Sequence, residues 1–406
     1  MKTIPNTSIA LSAWETFGNV EDLKALCDKH RISKGDGSEA DLCYNLKKGV
    51  GVNGGTVTFM VSVETSAASI PFPRFQLLEG PLGGNYIKSR SAFLHDGAVI
   101  GHPYKGDCGI IMKGDSYELH EADGGFVGST AMPDGMQVAF PAYNKGFLRM
   151  DARGVMSLNH IYSNTPQIRS GAIGPGGYLY CPRYERKSAV HRYDHKGDKP
   201  KGIRYNREET GAPFKGHWGS ASGNGKAYLL PWKDTKIGVI RDENEVNQLE
   251  GYVLGGAKGR KWKSSQKWDS KFSHGVTVGD EIICMPRHAD TILIINTVSD
   301  TFEEIMLPDE LIEAFKQYEK SFACYLGPDG FVYSCMWGLP ILFRIDPVTR
   351  EITWKDYTEE VATTEWLRYA KEGAVSVGTG ISTEAVLVGN EAYHLPGAGK
   401  AFKLIF

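Results

Sequence analysis

Six short stretches of this chain set aromatic rings beside cations or polar groups within a few residues of one another. They are Tyr104 with Lys105, Tyr143 with Lys145, Arg183 with Tyr184, Trp232 with Lys233, Arg287 with His288, and Trp337 ahead of GlyLeuPro. A seventh, the most basic run of the chain, interleaves Lys261 and Lys263 with Trp262 and Trp268. A ring offers a stacking face, and a cation beside it offers charge. Together they suit a glycan, a phosphate-rich ligand, single-stranded nucleic acid or an acidic protein surface. The competing reading is a set of solvated turns, each with a tyrosine packed on its own structural unit.

A second set is Arg90, Arg169, Trp218 and His274, each at the start of a run of small residues. Those runs are SerAlaPhe (91–93), SerThrAla (129–131), SerGlyAla (170–172), SerAlaSer (220–222), HisGlyValThr (274–277) and PheAlaCys (322–324). None of the six contains an acid, and a metal site needs several convergent carboxylates or imidazoles, so no metal and no cofactor is expected. His191 and His195 are four residues apart, about 13 Å along a strand, too far to share an ion. No GxSxG, HExxH or phosphate-loop motif occurs, and no catalytic residue is assigned.

The elements behind these residues repeat. Seven apolar runs recur, six ending in proline: AVIGHP (to Pro103), QVAFP (Pro141), YLYCP (Pro182), AYLLP (Pro231), IICMP (Pro286), VYSCM (Met336) and AYHLP (Pro396). The intervals are 38, 41, 49, 55, 50 and 60 residues, around the roughly 40–50 of a four-stranded blade. A glycine turn precedes each run, and a second strand closes on Asp115, Asp151, Asp194, Asp242, Asn296 or Asp346. Period-two alternation and β-branched residues dominate, and the repeated aspartates read as turn residues bonding their own backbone.

The expected fold is therefore all-β: a seven-bladed β-propeller over residues 56–406, with a small helical extension and flexible joint over residues 1–55. The last unit is one strand short. The alternating segment Thr56–Glu64 is expected to supply that strand and latch the ring. Helices are predicted over 19–31, 38–48, 309–320 and 358–371.

The small-residue inner strands, GlyProAspGly at 327–330, the YxxP runs and the IleAspPro turn at 345–347 resemble the loosely defined YVTN and NHL-type propeller repeats. The likeness covers residues 88–406 and is sharpest over 321–354. At fold level the repeats are also similar to those of phage tail and virion proteins. The resemblance implies a ring and a binding or scaffold role, and transfers no catalytic residue.

A formal net charge of −2 gives no global attraction to nucleic acid or membrane. No run approaches a membrane span or a signal peptide. The seven cysteines are scattered and lack a CxxC pair, as expected for reduced thiols of a protein synthesised in a cytoplasm. The leading expectation is a non-enzymatic assembly scaffold, a phage virion or tail component, whose partners are other protein subunits. The alternatives are a propeller enzyme of lactonase, lyase or glycosidase type at the channel mouth, and a glycan- or polyanion-binding module.

Overall fold

The computed structural model describes residues 47–50, 57–60 and 70–406, apart from 82–88, 105–107, 161–167, 183–189, 195–199, 206–216, 232–235, 250–270, 316–317, 363–380 and 398–399. It is a seven-bladed propeller. Blade 1 runs Ser89–His95, Ala98–Pro103, Cys108–Lys113 and Ser116–Glu121, and blade 2 runs Phe126–Ala131, Gln137–Pro141, Gly146–Met150 and Met156–His160. Blades 3, 4, 5 and 6 begin with the strands Ala172–Ile173, His217–Gly223, Phe272–Val278 and Cys324–Leu326. Each pairs antiparallel in sequence order, so the apolar runs form the second strand of every blade.

The local chemistry explains the hairpins. Asp96–Gly97 and Asn224–Gly225 all have positive φ, between 47° and 70°, which the tight turn between two right-twisted strands requires. The repeated aspartates cap the next turn: Asp151 Oδ1 accepts from the backbone N–H of Arg153 and Val155, both at 2.9 Å, and Asp346 Oδ1 accepts from Val348 N–H. Apolar side chains pack between neighbouring blades. Ile283, Ile292, Ile294, Phe343 and Ile345 join blades 5 and 6, with Leu311 and Phe315 of an inserted helix completing that layer. The helix, Asp309–Ala314, is shorter than the predicted span to 320; the described part of the second predicted helix is Thr358–Ala362.

Ring closure differs from expectation in one respect. Blade 7 consists of Ser382–Val388, Glu391–Pro396, Phe402–Ile405 and an N-terminal strand, as expected, but that strand is Arg74–Leu77. The better-alternating segment contributes Val57–Met60 to a separate two-stranded sheet with Lys47–Val50, which also makes the end of the predicted 38–48 helix strand. Ring contacts hold the closing strand: Phe75 stacks on Phe402 at 4.9 Å and tilts against Tyr357. The predicted helix at 19–31 lies outside the described residues.

Blades 3 and 4 share their rims. Lys201–Tyr205 pairs in parallel with Glu245–Gln248, fusing two blades into an eight-stranded sheet. No helix among the described residues is long and apolar enough to cross a membrane.

Candidate functional site

The innermost strands of blades 1, 2, 4, 5 and 7 each carry a register shift near their start. A bulge of this kind re-aims the residues inside it. Those residues are Arg90, Val127 and Gly128, Trp218 and Gly219, Ser273 and His274, and Thr383. The backbone runs so close here that a Cβ on Gly219 would lie 2.0 Å from the Ser273 carbonyl oxygen. Gly128, at φ +66°, has Arg169 O and His274 Nε2 beside it. Blades 2 and 5 are not neighbours, so this approach occurs across the axis of the ring.

Three guanidiniums meet at that mouth. Arg90 of blade 1 is buried, its guanidinium carbon 4.0 Å from the Tyr104 ring centroid and 5.2–5.3 Å from those of Phe322 and Trp337. Phe322 and Trp337, both from blade 6, stack at 4.9 Å. Arg169, ahead of the first strand of blade 3, donates from Nη1 to Tyr104 Oη at 3.2 Å. Arg287, in the loop after Pro286, forms a two-pronged contact with Glu319, at 2.9 and 3.1 Å, and lies 5.2 Å from the Phe322 ring. His288 Nε2 lies 3.5 Å from the same carboxylate. Tyr143 of blade 2 reaches Tyr104, oxygen to oxygen, at 2.8 Å.

The electrostatics follow from this crowding. Burial lowers Arg90 to about 10, and Arg287 and Arg169 push the same way while Tyr104 and Glu319 oppose. Burial pulls Glu319 up, but Arg287, His288 and Arg90 outweigh it and hold the carboxyl below its usual range. Burial also raises Tyr104, yet Arg169 and Arg90 prevail and leave its hydroxyl below that of a free phenol. Tyr143 goes the other way, raised by burial and by its contact with Tyr104. His274 is held down by burial.

The two sets of candidate residues thus converge in part. Tyr104, Arg287 and Trp337 turn inward to join Arg90, Arg169 and His274, whereas Tyr143 and Lys145 remain exposed. The backbone of Trp218 sits at the corresponding place in blade 4. Lys105, Arg183, Tyr184, Trp232, Lys233, Lys261, Trp262, Lys263 and Trp268 lie outside the described residues. Two acids at the axis were not singled out in the sequence. Glu319 sits in the stretch read as a helical insert. Glu384, in the SerThrGlu of blade 7, occupies the inner-strand position at which the other six units show no acid; extending the comparison to the seventh unit brings it into view. Among the described residues, no group of three or more His, Cys, Asp or Glu is placed to hold a metal ion.

No protein-family model and no curated protein sequence matches the chain. Its structure is similar to that of virginiamycin B lyase from Staphylococcus aureus, with 13% identity and a TM-score of 0.56 over 82% of this chain and 100% of that one. A catalytically inactive variant of the same lyase, solved with quinupristin, gives 14%, 0.57 and the same coverage. The WD40 propeller domain of Doa1 gives 8% and 0.52, covering 82% and 97%. The likeness is one of fold. Propellers of diverse function share it, and the expected similarity to phage tail and virion proteins finds no support among these neighbours.

Proposed function

We propose that this propeller is a recognition module that captures an acidic glycan at one mouth of its axis. The observation that carries the reading is the meeting of three guanidiniums from blades 1, 3 and 5, Arg90 and Arg169 at Tyr104 and Arg287 beside Arg90 over Phe322, with Glu319 bound to Arg287. Concentrating like charge in a buried, aromatic-lined site costs solvation, and an anion offsets that cost by bonding to several guanidinium N–H groups at once. Exposed Tyr143 adds a ring for a sugar face.

The test is a calorimetric titration with acidic and neutral oligosaccharides of matched length. Arg169→Gln should weaken binding of the acidic series tenfold or more, about 1.4 kcal/mol, and added salt should weaken the parent. Equal binding of both series by both proteins would reject the reading. The assembly role remains a second proposal, supported by the disc architecture and its fold neighbours. An acidic face of a partner subunit would then take the same mouth, and sedimentation of the native protein within a particle would favour it. The basic run at 261–268 enters either reading as an additional contact for a polyanion.

A further inference from the structure

Anion capture alone leaves one feature of the mouth without a purpose, the contact between two phenols. Arginines and stacked rings suffice to hold a carboxylate. Here Tyr104 and Tyr143, from different blades, instead bring their hydroxyl oxygens to 2.8 Å. Arg169 donates to the oxygen of one, and Arg90 lies over its ring. Tyr104 is 8% exposed and Tyr143 46%, so the pair runs from the buried cations to the open surface. The cations favour the anionic form of Tyr104 and the neutral form of its neighbour. Two like groups with opposed environments divide into a base and an acid, and the shared proton belongs to the pair.

We propose that the Tyr104–Tyr143 pair makes the axial mouth a proton-transfer centre for β-elimination from a uronate-bearing glycan. This rests on the anion-binding reading for capture of the carboxylate. The Tyr104 oxygen takes the proton from the carbon α to that carboxylate. The released electron pair forms the double bond to the β carbon, and the β carbon–oxygen bond breaks with its pair on the departing oxygen. That oxygen takes the Tyr143 proton. A proton then passes from Tyr104 to Tyr143 across their contact, and both return to their starting state. The products are a chain with an unsaturated uronate end and a chain with a free hydroxyl. No oxidant, reductant or water is consumed.

The guanidiniums match the charge that develops. As the α proton leaves, negative charge accumulates on the carboxylate oxygens, where fixed N–H donors stabilise it more than they stabilise the ground state. Hydrolysis fits the mouth less well. It calls for two carboxyl groups flanking the bond; of the two acids at the axis, Glu319 is engaged by Arg287 and Glu384 by Ser129.

Two measurements on the full chain test the proposal. Polygalacturonate, alginate and chondroitin are the probes, with binding followed by calorimetry and product by the ultraviolet absorbance of the conjugated carboxylate. A spectroscopic pH titration follows tyrosine ionisation in parallel. The parent should bind at least one probe and release unsaturated product. It should also show one tyrosine ionising below the others. Tyr104→Phe, which keeps the ring that Arg90 stacks on, should abolish that early step. Tyr104→Phe and Tyr143→Phe should each slow elimination about 100-fold or more while changing affinity less than threefold. Binding without product overturns the elimination and leaves capture standing. Absence of an early tyrosine overturns it as well, and failure to bind any of the three probes overturns both readings.

Discussion

Glu384 is half-buried as a residue, yet its Oε2 is shut away from water inside the ring. It enters from blade 7, and Ser129 of blade 2 shares its hydroxyl proton between the Ala92 carbonyl at 2.8 Å and Glu384 Oε1 at 3.2 Å. The donated bond favours the ionised carboxylate, and burial opposes it. Burial is the larger effect and raises Glu384 from 4.5 to about 8. The folded state therefore keeps a proton that the unfolded chain releases near pH 4.5, and stability contributed by this group falls as pH rises from 4.5 to about 8. Buried His102 and His394, driven down to about 3, act oppositely and weaken the fold as pH drops below the ordinary imidazole range. Comparing Glu384→Gln with the parent isolates the carboxyl. The variant should match the parent in thermal unfolding near pH 4.5 and exceed it at pH 8, by up to roughly 4 kcal/mol. An unchanged difference across that range would mean that the carboxyl is ionised in the fold. At this scale the sequence was half legible. Arg90, Arg169 and His274 announced themselves as large residues among small ones, whereas Glu319 and the Tyr104–Tyr143 contact depend on loops about 30–40 residues apart, whose meeting no local pattern encodes.

At the scale of elements, the latch is held by backbone acceptors that no periodicity encodes. Fully buried Arg344 of blade 6 donates to the carbonyls of Ile70 at 2.5 Å and Pro71 at 3.2 Å, its guanidinium 4.2 Å from the rings of both Phe72 and Phe331. Tyr357 Oη donates to Pro73 O. On the far side, Glu79 exchanges backbone hydrogen bonds with Asp115 and Tyr117 of blade 1, both at 2.7 Å. The strand and its flanks, residues 70–79, thus tie blades 6, 7 and 1 together. Two prolines and weak alternation hide it, while Thr56–Glu64 shows the cleaner pattern; pattern measures which face an element can bury, not which partner waits for it. Removing residues 1–64 should leave a single sharp melting transition, and removing residues 1–79 should broaden it and lower its midpoint. Phe75→Ala should cost about 3 kcal/mol in the intact chain. Equal melting of both truncations would show that closure does not depend on Arg74–Leu77.

For the whole molecule, the seven units could be counted in the sequence because each repeats the same turn–strand grammar, and the widening intervals reflect inserts such as Asp309–Ala314 between blades. What a linear pattern could not carry is the order in which the ring depends on its parts. Six blades are each closed by neighbouring strands of sequence, but the seventh closes by pairing Arg74 with Ile405 across nearly the whole ring. Bringing those ends together is the most demanding loop closure in the fold, so the unfolded chain gains most entropy by releasing it. A disulfide there should act almost entirely on the unfolded state. In Arg74→Cys/Ile405→Cys, whose positions face each other in the antiparallel pair, the bond closes a loop of about 330 residues, worth at most about 5–6 kcal/mol by chain entropy. The oxidised protein should melt several degrees above the parent, and reduction should remove the gain. An oxidised protein that melts with the parent would place the first opening elsewhere, most directly at the shared rim of blades 3 and 4, where Arg204 and Tyr205 pair with Glu245 and Val246 in parallel.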